Sequence, residues 1–298
     1  MHGMGVRSSR FRLRVMASLV ALFVAVAASG RADRFAAVEI EVQPVAGSVY
    51  MLKGAGGNIG VSVGADGTLI VDDQFAPLAA RIEKALQGLG GGKPRLVLNT
   101  HFHGDHTGGN AHFGAEGTIL AHDNVRIRLL AEQGMNRAGL PLVTFADRLT
   151  VHFNDEEIQI VHMPSGHTDG DSVVWFKNAN VIHMGDHLFN GRFPFIDLER
   201  GGSVRGYLRN LKTLHDMVPE DVRVIPGHGA LGDKAAIRKS IDMIEATQGI
   251  VRQAHAAGRS AEEIASRGLG AEWAAFGTGF IDEERWIAIL LAGLESGS

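Results

Sequence analysis

The chain has 298 residues, room for one large or two ordinary domains. Hydrophobic residues make up 45% and charged residues 21%, a globular balance that excludes collagen, coiled coil and wholesale disorder. There is no cysteine, which removes a disulfide scaffold, a thiolate metal site, an iron–sulfur cluster and a cysteine nucleophile together. The net charge of −4 gives no electrostatic reason to hold nucleic acid. The unusual counts are 39 glycines and 14 histidines, which point to many tight loops and to imidazole as the available metal ligand.

At the N-terminus, Arg7, Arg10, Arg12 and Arg14 form a basic start, an apolar run covers 15–28, and Ala27-Ala28-Ser29-Gly30 are small. This is the layout of a secretory signal peptide. The run is shorter than the roughly 20 residues of a spanning helix. Phe11 interrupts the arginine pair that a twin-arginine signal needs, and no cysteine follows for lipid attachment. The expectation is a signal over 1–30 and a single domain over 31–298. The mature protein would be periplasmic or secreted, with no stable membrane insertion after cleavage.

Along the remaining chain, apolar runs at 38–42, 49–52, 58–63 and 68–71 read as short strands between glycine-rich turns. Leu78, Ile82, Leu86 and Leu89 recur at helical spacing, and Gly90-Gly91-Gly92 ends that helix. Strands are expected at 95–99 and 118–121, then a helix over 124–138 capped by Asn124. Further strands are expected at 149–153, 158–162, 172–176, 180–184 and 222–225. Helices are expected at 203–217 and 234–257, with a helical end over 261–294 broken near Gly277-Thr278-Gly279. The pattern suits one α/β domain of two sheets with helices outside.

The chemistry-bearing residues follow strands. After the 95–99 strand comes Thr100-His101-Phe102-His103-Gly104-Asp105-His106-Thr107, three histidines and an aspartate within six positions. Chance occurrence of such a pattern is on the order of 2 in 1,000 for a chain of this composition. Three later strands each lead into a tight glycine-containing loop with one potential ligand: Ser165-Gly166-His167, Gly185-Asp186 and Pro226-Gly227-His228-Gly229. The donors are all nitrogen or oxygen, which suits zinc and does not exclude iron or manganese.

These ordered motifs, spanning about 49–228, resemble the metallo-β-lactamase superfamily. The resemblance implies an αβ/βα four-layer sandwich with a dinuclear metal site, two Zn²⁺, along one edge. It implies that His101, His103 and His167 hold one ion, that Asp105, His106 and His228 hold the other, and that Asp186 bridges them. Asp105 is taken as the catalytic residue among these, and Asp72, ending the 68–71 strand, as a residue that orients a ligand histidine. His183 and His187 flank Asp186 and are candidates for an outer role. Phe189, Arg192, Phe193 and Phe195 crowd the loop after Asp186, as a substrate wall or as packing.

The resemblance implies a small-molecule substrate with a carbonyl ester, lactone or β-lactam bond, attacked by a metal-bound hydroxide. Within the superfamily, His106 beside Asp105 and the Pro226–Gly229 motif resemble the β-lactamase branch, while Asp186 is the pattern of the wider hydrolases. Acyl-homoserine lactonases usually place a tyrosine three residues beyond that aspartate, where this chain has Phe189. A glyoxalase-type thioesterase would bring a basic cluster that the C-terminal helices lack. The alternatives are such a lactonase or thioesterase, or a redox member of the fold with a diiron or persulfide-oxidising centre.

Overall fold

Short apolar runs separated by residues that accept left-handed backbone pair locally, and here they build two sheets. The structure is a computed structural model that describes residues 34–297, so the expected signal segment lies outside the described residues. Residues 40–298 form one compact unit. The first sheet has seven strands in chain order: β1 (Glu41–Ala46), β2 (Val49–Lys53), β3 (Ile59–Gly64), β4 (Gly67–Val71), β5 (Pro94–Leu98), β6 (Thr118–His122) and β7 (Val143–Phe145). Strands β1–β4 are antiparallel neighbours, while β4, β5, β6 and β7 run parallel. Parallel neighbours require crossovers, and α1 (Ala79–Gly88) supplies the one from β4 to β5.

The second sheet has the spatial order β13 (Gly232–Asp233), β12 (Arg223–Ile225), β11 (Val181–His183), β10 (Ser172–Phe176), β9 (Glu156–His162), β8 (Arg148–Phe153). Its β8–β9 hairpin turns on Asn154 and Asp155, both at positive φ (55° and 59°), the backbone that a tight two-residue turn demands. Strands β11 and β12 are parallel, and β9 runs in the same direction, since both β9 and β11 are antiparallel to β10. The C-terminal ends of β9, β11 and β12 therefore lie along one edge of the sheet.

Inward residues of both sheets share one core. Met51, Leu69, Val71, Leu98 and Leu120 meet Ile158, Ile160, Val174, Phe176 and Ile225. The alternate residues Ile70, Val97 and Ile119 are buried as well, so both faces of the parallel strands are covered and they read as continuous apolar runs. On the other side, Val173, Trp175, Ile182 and Val224 pack under α5 (Val204–Met217), α6 (Lys234–Ala256), α7 (Ala261–Arg267) and α8 (Glu283–Ser296). The result is two mixed sheets face to face with helices outside, the expected sandwich.

Several boundaries differ from the sequence reading for local reasons. The first strand begins at Glu41 rather than 38 and runs through Pro44; it is an edge strand, where proline is tolerated. The expected helix over 124–138 ends at Ala131, and its cap is the His122 ring, which accepts from the Asn124 amide. The three-residue β7 and the two-residue β13 are too short for alternation to reveal. Among the helices that do match, Ser203 and Asp233 cap α5 and α6 by accepting from the Gly206 and Ala236 amides.

Trp286 on α8 anchors the C-terminal helices. It is fully buried, stacks on Phe193 at 5.8 Å and donates from Nε1 to Thr247 Oγ1 on α6 at 3.0 Å. Trp286→Ala removes a large ring and strands a hydroxyl partner. The expected cost is about 3–5 kcal/mol of unfolding free energy in a denaturant titration, with the midpoint lowered and the transition still cooperative.

Candidate metal centre

The site forms where strands of the two sheets end. Beyond β4 lies Asp72; beyond β5 lies the loop carrying His101 and His103, and α2 (Gly104–Thr107) carries Asp105 and His106. From the other sheet, the loop after β9 brings His167, the turn after β11 brings Asp186 and the loop after β12 brings His228. Donor atoms of His101, His103, His167 and Asp186 all lie within 4.8 Å of one another, and so do those of Asp105, His106 and His228. The structure thus brings these seven side chains together in two neighbouring groups.

Asp186 stands between the groups with one oxygen toward each. Its Oδ2 is 3.4 Å from His167 Nε2 and 3.8 Å from His101 Nε2. Its Oδ1 is 3.1 Å from His106 Nε2 and 3.3 Å from His228 Nε2. Asp105 Oδ2 completes the second group at 3.4 Å from His228 Nε2. Donors about 2.0–2.2 Å from a common zinc ion in tetrahedral array would stand roughly 3.3 Å apart. The observed separations fall around that value.

Four of the five imidazoles are turned by a bond to the far nitrogen. His106 Nδ1 donates to Asp72 Oδ2 at 2.8 Å. His103 Nε2 donates to Asp197 Oδ2 at 3.0 Å, leaving Nδ1 to face His167. His167 Nδ1 donates to the Phe195 carbonyl at 2.7 Å. Thr100 Oγ1 gives its proton to Asp72 Oδ2, so it accepts from His101 Nδ1 at 3.0 Å. Donation at the far nitrogen fixes the tautomer and leaves a lone pair on the near one, the usual arrangement behind a metal-ligating histidine.

Two buried atoms here have no hydrogen-bond partner, His101 Nε2 and Asp186 Oδ1. Buried polar atoms are rarely left so, because desolvation without compensation costs about 1–3 kcal/mol each. Both atoms point into the donor groups, and a cation among the donors would satisfy both. The residues present therefore fit bound divalent metal.

The backbone is shaped to the same end. Asp72 is fully buried at φ 64°, and besides His106 its carboxylate accepts from the Thr100 amide at 2.8 Å. Holding a non-glycine residue in that region costs on the order of 1–3 kcal/mol, which the three bonds to this carboxylate offset. Gly57 lies under the His106 ring, where a Cβ would fall 2.2 Å from Cε1; only glycine lets the loop pass.

Burial disfavours charge on these rings. His101 is held well below the ordinary histidine range by burial and by His106. His167 is lowered to about 4, chiefly by burial, despite the opposing pull of Asp186. At His106, burial is outweighed by Asp186, Asp105 and Asp72, which hold its pKa well above the ordinary value. Burial also opposes charge on Asp186, but His228, His106, His101 and His167 keep its carboxyl well below the usual range. Burial and the carboxylates thus act in opposite directions, with burial prevailing at His101 and His167 and the carboxylates at His106.

The other candidates separate cleanly. His183 donates to the Asn58 carbonyl at 3.0 Å and accepts from the Gly185 amide, so it braces the Asp186 turn without reaching a donor atom. His187 accepts from Asn210 Nδ2 and stacks on Tyr207. Phe193 is core packing, whereas Phe189 stacks on His228 at 4.9 Å and Phe195 lies 5.8 Å from His103. Sequence reasoning missed Asp197, the Phe195 carbonyl and Asn58, whose amide donates to the Pro226 and Gly229 carbonyls and holds the His228 loop. These partners come from distant positions and carry no spacing signal.

A model of the metallo-β-lactamase superfamily matches residues 52–228, more than half the chain, and the chain belongs to that superfamily, a class of metal-dependent hydrolases. Among curated proteins it is similar to a type 2 metallo-β-lactamase of Bacteroides fragilis, 28% identical over 54% of this chain and 61% of that one. It is likewise similar to a hydroxyacylglutathione hydrolase of Rhodospirillum rubrum, 32% identical over 44% of this chain and 47% of that one. The matches span about half to three-fifths of these relatives' lengths. A solved metallo-β-lactamase from Pontibacter korlensis shares the fold with TM-score 0.60 at 17% identity, over 70% of this chain and 99% of that one.

In metal-free protein, His167 and His187 are expected to stay neutral on acidification. Burial lowers them to about 4 and about 3, so each takes up its proton only well below the ordinary histidine range. Long-range ¹H–¹⁵N spectra recorded from pH 8 downward should show a neutral imidazole pattern for both at pH 5.5. A protonated His167 at that pH would contradict the geometry described.

Proposed function

We propose that this chain is an exported dinuclear zinc hydrolase of a carbonyl ester, lactone or β-lactam. The observation that carries the reading is Asp186, a buried carboxylate with one oxygen facing each of two donor groups. In this reading His101, His103 and His167 hold one ion, Asp105, His106 and His228 hold the other, and Asp186 bridges them. Two divalent ions held there would lower the pKa of a water and polarise a carbonyl oxygen.

The chain's own groups do the rest. Asp72, Asp197 and the Phe195 carbonyl fix the rings, so no reorganisation is required when charge develops. Asp105, with 28% of its side chain exposed, is the most accessible donor and in this reading would be the group to accept a proton at the mouth of the site. Phe189 covers His228 and offers no hydroxyl, which disfavours an acyl-homoserine lactonase-like arrangement with tyrosine at this position. Membership of a family that includes β-lactamases supports a β-lactam as one substrate to test. Among the described residues no helix is long and apolar enough to cross a membrane.

The reading makes four expectations. Secreted protein should begin near Arg31 or Asp33 by intact mass, and a full-length N-terminus on exported protein would contradict the signal peptide. Purified protein should carry close to two zinc ions; iron with a visible spectrum would favour a redox member instead. Asp186→Asn keeps size but removes the bridging charge. It should stay folded, hold the second ion more weakly and lose kcat by roughly 10²-fold or more on a panel of β-lactams, lactones and aryl esters. Asp72→Asn, acting through His106, should cost less, about 10–100-fold. Near-wild-type turnover with two tight ions in Asp186→Asn would remove Asp186 from the bridging position.

A further inference from the structure

Among the seven donors, solvent reaches only one side. His103 and His228 are each 18% exposed and Asp105 is 28% exposed, whereas His101, His106, His167 and Asp186 are essentially buried. A substrate must therefore approach past His103, Asp105 and His228. At the His103 side of this mouth stands Phe195, half-buried, with its ring 5.8 Å from that of His103 and 5.7 Å from that of His167.

Beyond Phe195 the aromatic surface continues outward. Phe280, in the segment before α8, meets Phe195 edge to face at 6.2 Å and is 73% exposed. A single exposed phenylalanine is ordinary, but one continuous with a half-buried ring at the mouth of a donor cluster is a surface. It is also held in place: Arg285 Nη1 donates to the Phe280 carbonyl at 2.9 Å, and its guanidinium lies 5.6 Å from the Phe280 ring. Gly279 beside it packs on the Arg192 stem, where an added Cβ would fall 3.0 Å from Cδ. Phe280 is thus a pre-positioned ring with an open face.

We propose that Phe195 and Phe280 form an apolar subsite that receives an aromatic or bulky aliphatic group attached to the carbonyl carbon of the substrate, a proposal that rests on the hydrolase reading. Phe195 sits one ring's width from the donors, so a group joined to the carbonyl carbon through one or two carbons would reach it. An incoming ring would lie edge to face or offset against Phe195 and Phe280, the favoured aromatic geometries. Phe280 falls outside the 52–228 segment matched by the superfamily model, so this half of the subsite is contributed by the chain's own C-terminal segment.

The test uses full-length mature protein loaded with two equivalents of zinc. Acetate and phenylacetate, which differ by one ring, are titrated by calorimetry into wild type, Phe280→Ala and Phe280→Leu. Wild type should favour phenylacetate by about tenfold, the order expected for covering one ring. Phe280→Ala should reduce that ratio to about two- or threefold, and Phe280→Leu should keep most of it. Because Phe280 is exposed, folding is not at stake; metal content and near-ultraviolet dichroism check this. In parallel, the ratio of kcat/KM for 4-nitrophenyl phenylacetate to 4-nitrophenyl acetate should fall in the same order. A binding ratio that Phe280→Ala leaves unchanged overturns the subsite, even if both esters are hydrolysed. A ratio that collapses as expected with neither ester nor any β-lactam or lactone hydrolysed keeps the subsite and overturns the hydrolase reading instead.

Discussion

Convergence of lone pairs is the constraint on which this molecule is organised. Five imidazoles and two carboxylates aim their acceptor atoms at each other across separations of 2.8–3.8 Å. Acceptors so close repel, and burial removes the water that would screen them. The surrounding fold fixes four of the five rings from behind, and a cation held among the donors would reverse the sign of the interaction. This explains why the carboxylate of Asp72, fully buried and in a left-handed conformation, has all its bonds directed to the loop that carries His101 and His106. It also explains why two acceptor atoms, His101 Nε2 and Asp186 Oδ1, are left without partners.

The two-sheet architecture is what makes such convergence possible with little loop structure. Strands β4 and β5 run parallel in one sheet, and β9, β11 and β12 share a direction in the other. Each strand end then delivers one loop to the same edge, and a shared core of Leu69, Val71, Val174 and Ile225 sets the distance between the sheets. Five of the seven donors follow the end of their strand within five residues, and Asp105 and His106 follow on the short helix α2. Long, mobile loops would have to lose more conformational entropy to reach the same precision.

This is also why so much of the site was legible in the sequence. A ligand that follows its strand directly leaves a local mark: an apolar run, a glycine, then His or Asp. His167, Asp186 and His228 carry that mark, His101, His103, Asp105 and His106 carry a denser one of four donors within six positions after a strand, and the resemblance put them in order. The residues behind them do not. Asp197 reaches His103 across 94 positions, and Asn58 reaches Pro226 across 168, through contacts that exist only once the two sheets are stacked. The same distinction governs the fold. Long amphipathic helices such as α5 and α6 declare their period, while β7 and β13 form because a neighbouring strand offers free backbone groups. Capping of α4 (Asp123–Ala131) by His122 rather than Asn124 is a similar case, where the end of β6 places a ring nitrogen over the first amides.

The proposed subsite is built from different material than the candidate donors. The donors and the bonds that orient them are buried at strand ends, where a change of one side chain disturbs several others. The mouth is bounded by side chains with few such obligations: Phe195 contributes its carbonyl, not its ring, to holding His167, and Phe280 projects from a segment that the helices α7 and α8 merely bracket. The Phe195 backbone is therefore tied to His167, while its ring packs beside His103 and His167 and faces Phe280. In the proposed subsite one residue would then serve two duties, its carbonyl orienting His167 and its ring meeting the substrate, while Phe280, exposed and away from every donor ring, is the position whose size can change with least effect on the donors.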